Sequence, residues 1–257
     1  MAKLIKNLAF KVQHGPLDVE KLSGIIEDAY ASYNEVVETK KKSFAPSKIG
    51  FGSGRCPRYW FIAFDGAPFD DKKDPKSIAN MKSGIDAHER LGELFKRSKL
   101  EVEHVELALE HSDPPIFGFV DLVINRAGER VVGEIKTTSS ESFVRRQAAM
   151  KAPDYHLIQI LIYMYVLEAD SGFFLYENKN THELLILPVY MDDANRKLVE
   201  DTFAWMRQVR KGWEDRQLPE RPFTRKSREC KDCPVSAVCW ESEKYGEGDI
   251  VVDPLRL

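Results

Sequence analysis

The chain has 257 residues, 43% of them apolar, which is enough for one sizeable core with decoration and cramped for two full domains. Its formal net charge of −3 excludes a global polycation of the kind that announces nucleic acid, although a local basic groove can sit inside an acidic protein. The first residues, Met1-Ala2-Lys3-Leu4-Ile5-Lys6-Asn7, hold no apolar h-region or small-residue cleavage site. The longest apolar stretch, Leu157 to Leu167, is interrupted by Gln159 and is far shorter than the roughly 20 residues of a bilayer span. A soluble, cytoplasmic protein without membrane contact is expected. There, four cysteines point to metal or cluster ligation rather than to structural disulfides.

In chain order, residues 17–42 place Leu22, Ile25, Ile26, Ala29, Tyr33, Val36 and Val37 at helical spacing and close on Lys40-Lys41-Lys42, which predicts one helix. A polar linker through Pro46-Ser47 follows, and Gly50-Phe51-Gly52-Ser53-Gly54 forms a flexible approach to Cys56-Pro57-Arg58. Residues 67–77, rich in Asp, Lys and Pro, read as a surface loop. A helix is expected from about Ser77 to Lys99, with Ile78, Met81, Ile85, His88, Leu91 and Phe95 near one stripe.

The period then changes to two. Val102–Leu109, Phe117–Asn125 and Arg130–Thr137 are rich in β-formers and separated by Asp113-Pro114-Pro115 and Ala127-Gly128-Glu129, which predicts an antiparallel meander. An apolar helix over 153–169 begins at Pro153, a residue suited to a first turn. Strands Gly172–Glu177 and Glu183–Tyr190 are joined by the turn Asn178-Lys179-Asn180, and an amphipathic helix runs from Asp192 to about Gly212. The order predicts an α/β core in which one central sheet is flanked by helices.

An Asp/Glu-x-Lys triplet occurs seven times, so alone it carries almost no information. Glu134-Ile135-Lys136 differs because it ends the apolar run Val131-Val132-Gly133, which puts Glu134 and Lys136 on one face of a strand and turns Ile135 to the other. The strand before it offers Gly118-Phe119-Val120-Asp121, one acid among apolar residues. Such charges on neighbouring buried strands are costly unless paired or metal-bound. Two readings stand: an ion pair that fixes strand pairing, or a hard-cation site for Mg²⁺ or Mn²⁺. In the second, Asp121, Glu134 and the backbone carbonyl of Ile135 supply oxygen ligands, while Lys136 orients the attacking water and offsets phosphate charge. His88, on the helix before the meander, is a further candidate ligand. Gln159 and Tyr163 lie four apart on one helix face, as satisfied core residues or as groove residues contacting a substrate phosphate.

Cys230, Cys233 and Cys239 form a C-x₂-C-x₅-C run with Cys56 far upstream. Four thiolates fit tetrahedral Zn²⁺ or a [4Fe–4S] cluster; a remote single cysteine with a C-terminal triplet suits the cluster better than the paired spacing of zinc ribbons. Either would clamp the terminal regions around the core. Residues 205–231 hold nine Lys/Arg against four acidic residues. Arg55, Arg58, Arg145, Arg146 and Lys151 flank the candidate sites and are expected in a DNA-binding groove, with the acidic Glu101–Glu110 surface facing elsewhere. Trp60, Trp205, Trp213, Phe223 and Trp240 are core residues or base-stacking ones.

Together, His88, Gly118-x-x-Asp121, Glu134-Ile135-Lys136, Gln159-x-x-x-Tyr163, Cys56 and the cysteine triplet resemble the Cas4/RecB-type nucleases of the PD-(D/E)XK superfamily. The similarity is greatest to the iron–sulfur subgroup, which includes CRISPR-associated Cas4, the AddB nuclease domain and phage-encoded Cas4-like exonucleases. It spans roughly residues 48–240. The resemblance implies a restriction-endonuclease-like fold with a mixed sheet, and a His88–Asp121–Glu134 metal site with catalytic Lys136. It further implies hydrolysis of DNA phosphodiesters, commonly from single strands or ends and often 5′ to 3′. It divides the chain into an N-terminal helical region (1–45), a nuclease domain closed by the cysteine site (46–240) and a tail (241–257). The alternatives are a nuclease subunit of a CRISPR adaptation or recombination and repair complex, as a homo-oligomer or with partner proteins, and a non-catalytic cluster-containing DNA-binding module.

Overall fold

The computed structural model describes residues 18–33, 41–70 and 73–257. Among these, two compact units are distinguished, residues 18–33 with 73–83 and residues 41–70 with 84–257. In the first unit, α1 (Val19–Ala31) starts where the Asp18 carboxylate accepts the Lys21 N–H at 3.0 Å, a side-chain cap for an orphan first-turn donor. It is shorter than the helix expected over 17–42, and residues 34–40 lie outside the described residues.

The second unit is built on a five-stranded sheet in the order β1-β2-β3-β4-β5. β1 (Glu101–His111), β2 (Ile116–Arg126) and β3 (Glu129–Thr138) form the antiparallel meander that their turns predict. β4 (Ser171–Asn178) runs parallel to β3, and β5 (Leu184–Tyr190) returns antiparallel to β4. A parallel neighbour requires a crossover, and residues between β3 and β4 supply it as two helices. Of these, α5 (Ser140–Ala149) was not visible in the sequence, because its face is almost wholly polar and only Phe143 is buried. The other, α6 (Asp154–Val166), is the expected apolar helix, buried from Ile158 to Met164.

With this sheet in the second unit are α2 (Pro46–Ile49), α3 (Pro57–Phe64), the part of α4 (Pro75–Arg97) from residue 84 on, α7 (Asp193–Glu214) and two short helices, α8 (Arg228–Lys231) and α9 (Ser236–Glu241). Every residue of α3 is buried, and its Trp60 indole donates to the Gly54 carbonyl at 2.7 Å, so this indole is committed to the core and not to stacking on a base. Trp205 is likewise in the core, donating to the Asp253 carbonyl at 2.8 Å. The stretch read as a loop over 67–77 ends early, with α4 beginning at Pro75. The sheet flanked by helices is the α/β core that the element order predicts, and its mixed strand directions are those that the resemblance implies. No helix among the described residues is long and apolar enough to cross a membrane.

One feature of the ladder positions the site. β2 pairs with β3 only from Leu122↔Gly133 outward to Arg126↔Glu129. At its other end β2 continues along β1, to His111↔Ile116, with an isolated bridge from Phe44 to Ile116, while β3 continues along β4 alone, to Thr138↔Asn178. The sheet therefore forks at Asp121 and Glu134.

Candidate active site

At the fork, a side chain stands in for the missing ladder. Asp121 Oδ2 accepts the Ile135 N–H at 2.7 Å, which satisfies a buried backbone donor and fixes the carboxylate next to β3. Its other oxygen, Oδ1, lies 3.4 Å from His88 Nδ1, on α4. His88 Nδ1 also lies 3.9 Å from Glu106 Oε1, on β1. Among the described residues, His88, Glu106 and Asp121 are the three-donor group whose ligand atoms all lie within 4.8 Å of one another.

Glu106 is the residue that the sequence reading missed and misplaced, since the Glu101–Glu110 surface was expected to face elsewhere. Its neighbours on β1 explain the error: Glu101, Glu103, Glu106 and Glu110 look alike in a strand with acids along its solvated side. The backbone separates them. Glu106 has φ +56°, a left-handed conformation rare for a non-glycine residue inside a strand and costing on the order of 1–3 kcal/mol. Of these acids, Glu106 is the one whose carboxylate lies beside His88.

Glu134 is fully buried, and its Oε1 accepts from Lys136 Nζ at 2.5 Å and from Gln159 Nε2 at 2.6 Å. Its Oε2 is buried without a hydrogen-bond partner. A bare carboxylate oxygen at 0% exposure is expensive, and burial pushes the Glu134 carboxyl up to about 7 despite the neighbouring Lys136 cation. The Glu106 carboxyl is also raised, by burial and by the Asp121 charge. Burial opposes charge on His88 and Lys136, but the surrounding carboxylates outweigh it and hold both above their usual values. Three carboxylates converge with too little positive charge to balance them, and an orphaned oxygen donor is part of the set; hard oxygen donors of this kind fit Mg²⁺ or Mn²⁺.

α6 supplies the floor. Gln159 holds Glu134 and also hydrogen-bonds the Tyr163 hydroxyl. A Cβ at Gly118 would lie 2.9 Å from that hydroxyl, so glycine there is what lets β2 approach α6 this closely. Of the residues singled out from the sequence, the structure thus brings His88, Asp121, Ile135, Glu134, Lys136, Gln159 and Tyr163 together.

The basic residues divide. Arg55, Arg145, Arg146 and Lys151 line one cavity of about 670 Å³, together with Tyr155. That cavity lies close to the end of β3: Arg146 donates to Thr138 Oγ1 at 2.7 Å and stacks over Tyr176, the β4 partner of Lys136. Arg58, expected in the same groove, is elsewhere. It is 1% exposed and bonds the carbonyls of Pro219 (2.6 Å), Tyr245 (2.6 Å) and Gly246 (2.7 Å) and the Cys239 sulfur (3.3 Å). Its donors are consumed internally, so it is a buried tie rather than a DNA contact.

All four cysteines are free and partly buried. Cys56 caps α3, Cys230 lies in α8 and Cys239 in α9. They come together: Cys56 is close enough to feel Cys233 and Cys239, and Cys233 to feel Cys239 and Cys230. Burial pushes the Cys56 thiol up to about 12 and Cys233 to about 11. Backbone N–H groups of Arg58 and Tyr59 point to the Cys56 sulfur, as does the Arg58 guanidinium to Cys239. Hydrogen bonds tie the C-terminal segment to the same region. The Tyr245 hydroxyl donates to Asp65 at 2.8 Å, and Arg55 and Leu255 exchange hydrogen bonds at 2.8 and 2.9 Å.

A family model of the PD-(D/E)XK nuclease superfamily matches residues 69–240. No curated protein matches the chain. Among solved structures, the alkaline exonuclease LHK-Exo from Laribacter hongkongensis is similar with a TM-score of 0.53 at 10% identity, over 73% of this chain and 95% of that one. The same enzyme in complex with dAMP gives 0.53 at 12% identity, over 67% of this chain and 90% of that one. SSO0001 aligns over 85% of this chain and 96% of its own at 16% identity, with a TM-score of 0.46. At these identities the likeness is one of fold.

Proposed function

This chain belongs to the PD-(D/E)XK nuclease superfamily, and from that premise we propose that it is a deoxyribonuclease that hydrolyses phosphodiester bonds with Mg²⁺ or Mn²⁺, as an exonuclease on single-stranded DNA or DNA ends, in the 5′ to 3′ direction. The observation that carries the reading is the fork, where Asp121, Glu134 and Lys136 meet His88 and Glu106 and the buried Glu134 Oε2 has no partner within the protein. The residues that would hold the ion are His88, Glu106, Asp121 and Glu134, with the carbonyl of Ile135. When bound, a divalent ion polarises the scissile phosphate and lowers the pKa of a coordinated water.

The chain's own residues do the positioning. Ile135 N–H holds Asp121 in place, so the carboxylate needs no reorganisation when substrate arrives. Lys136 stays cationic at neutral pH and, released from Glu134, offers its ammonium to the attacking water or to a non-bridging phosphate oxygen. Gln159 fixes the Glu134 rotamer, and the Tyr163 hydroxyl braces Gln159. The cavity of Arg55, Arg145, Arg146 and Lys151 gives the sugar-phosphate backbone a cationic wall beside the fork. In this reading residues 46–240 are the nuclease domain, with 1–45 and 241–257 as flanking regions.

The four cysteines are proposed to hold a [4Fe–4S] cluster. Donors aimed at sulfur, from the Arg58 guanidinium and the backbone at 58 and 59, are what ligating thiolates require, and they support the assignment.

The test is cleavage of 5′- and 3′-end-labelled DNA by anaerobically purified protein, with and without Mn²⁺. Metal-dependent release of mononucleotides or short products from the 5′ end, lost in Asp121→Ala, Glu134→Ala and Lys136→Ala, is expected. Absence of metal-dependent hydrolysis, or its persistence in those variants, overturns the proposal. Iron and sulfide analysis of the same sample tests the cluster.

A further inference from the structure

β2 carries an aromatic pair that the nuclease site as described does not use. Phe117 and Phe119 are exposed, at 39% and 50%, while the residues between and beside them, Ile116, Gly118 and Val120, face the packed interior. The two rings touch edge to face, with centroids 5.3 Å apart. They occupy the prong of the fork where β2 has left β3 and pairs with β1, with Phe44 bridged to its first residues, and alternation puts them on the same side of the strand as Asp121, two and four residues on. On β1 the residues opposite them, Ala108 and Glu110, are exposed too, and continue the row from Glu106.

Two adjacent phenylalanines left in water are unexpected in a strand whose next five residues, Val120 to Ile124, are all buried. Their place is informative. The row starts at the Glu106–Asp121 cluster and leads away from it, and Phe117 is one wall of a further cavity of about 680 Å³ with Lys42, Glu110 and His111. The cationic cavity lies beside the other prong, beyond Lys136. The fork thus has one wall suited to phosphates and one suited to the apolar faces of bases.

We propose that Phe117 and Phe119 are substrate-positioning residues that stack on unpaired nucleobases next to the scissile phosphate. This rests on the nuclease reading above. A base must leave its duplex partner before both of its faces are accessible, so the device selects a strand whose bases are unpaired near the cut. Stacking on an aromatic ring is insensitive to base identity, so the preference is for single-strandedness and not for sequence.

The experiment uses the full chain and labelled single-stranded oligonucleotides. One is unmodified; another carries abasic positions on both sides of the cleavage sites; a third carries 2-aminopurine there. For the wild type, kcat/KM falls about 5- to 100-fold on the abasic strand, and 2-aminopurine fluorescence is quenched on binding in Ca²⁺. In the Phe117→Ala/Phe119→Ala double variant, cleavage of the unmodified strand falls to the abasic level, the abasic strand is cut as by wild type, and quenching is lost. Phe119→Trp restores all three. Because both rings are exposed, the melting temperature stays at the wild-type value, which a structural role would shift. A double variant that still discriminates the unmodified from the abasic strand overturns the proposal. If the wild type cleaves neither strand with any divalent ion, the nuclease reading itself fails, and the two failures are distinguishable.

Discussion

Asp121 accepts the backbone N–H of Ile135 at the point where β2 and β3 part, and so serves as strand partner and candidate metal ligand at once. The two roles separate by substitution. Asp121→Asn keeps an oxygen to accept from Ile135 but lacks the charge; Asp121→Ala leaves a buried N–H unsatisfied. We expect Asp121→Asn to melt within about 0.5 kcal/mol of wild type yet to lose metal-dependent cleavage, and Asp121→Ala to lose roughly 1–3 kcal/mol besides. Denaturant unfolding of both checks this; equal destabilisation would show that the Ile135 bond is not what Asp121 contributes to the fold.

Glu106 has no counterpart in the motif set read from the sequence, and its strained backbone is the reason to assign it a role. Glu106→Gln removes the charge while keeping the shape. A drop of roughly tenfold or more in Mn²⁺ affinity is expected, with cleavage restored in part by raising Mn²⁺. Calorimetric titration of Mn²⁺ reads it out, and an unchanged affinity would remove Glu106 from the site.

His156 should make the protein acid-sensitive. Burial holds its pKa at about 3, helped by the Lys136 and Arg146 charges, against an ordinary value of 6.5. The unfolded chain therefore binds a proton between pH 6.5 and 3 that the folded chain refuses. Stability from this residue is intact above pH 6.5 and declines as pH falls through that window, by up to about 1.4 kcal/mol per pH unit. His156→Gln, which can still bond the Tyr176 hydroxyl, should flatten the stability profile across that range. A parallel decline in both proteins would assign the effect elsewhere.

The two classes of basic residue predict opposite phenotypes. Arg145 and Lys151 line the cationic cavity, so the Arg145→Ala/Lys151→Ala variant should bind all DNA sequences more weakly and lower the slope of log K against log salt by about 2, with the fold unchanged. Arg58→Ala removes the guanidinium from the carbonyls of Pro219 and Gly246 and the Cys239 sulfur, leaves the Tyr245 carbonyl with Arg221 alone, and should cost several kcal/mol of stability, with loss of any bound iron. Salt-dependent binding isotherms and thermal melts separate the two.

Much of this site was legible because its residues sit where local pattern and chemistry coincide. Glu134 and Lys136 close an apolar strand, Asp121 interrupts another, and Gln159 breaks an otherwise apolar helix; each is a polar group where burial is predictable and a partner must exist. Glu106 was not legible because a φ of +56° depends on how β1 is held, not on its composition. Arg58 was misread for a related reason. Next to a cysteine in a glycine-rich approach it looks exposed, and only the return of residues 219–246 buries it. The helix α5 escaped because a polar surface helix leaves no apolar period to detect.

The most direct test of the central claim is the initial rate of hydrolysis of end-labelled single-stranded DNA as Mn²⁺ is raised, for wild type and Asp121→Asn side by side. A saturable, Mn²⁺-dependent rate in the wild type, with at least a hundredfold lower rate in the variant at every concentration, is the predicted result, as expected when a ligand that sets transition-state charge is removed. Equal rates in the two proteins, or hydrolysis that proceeds unchanged in EDTA, would contradict it.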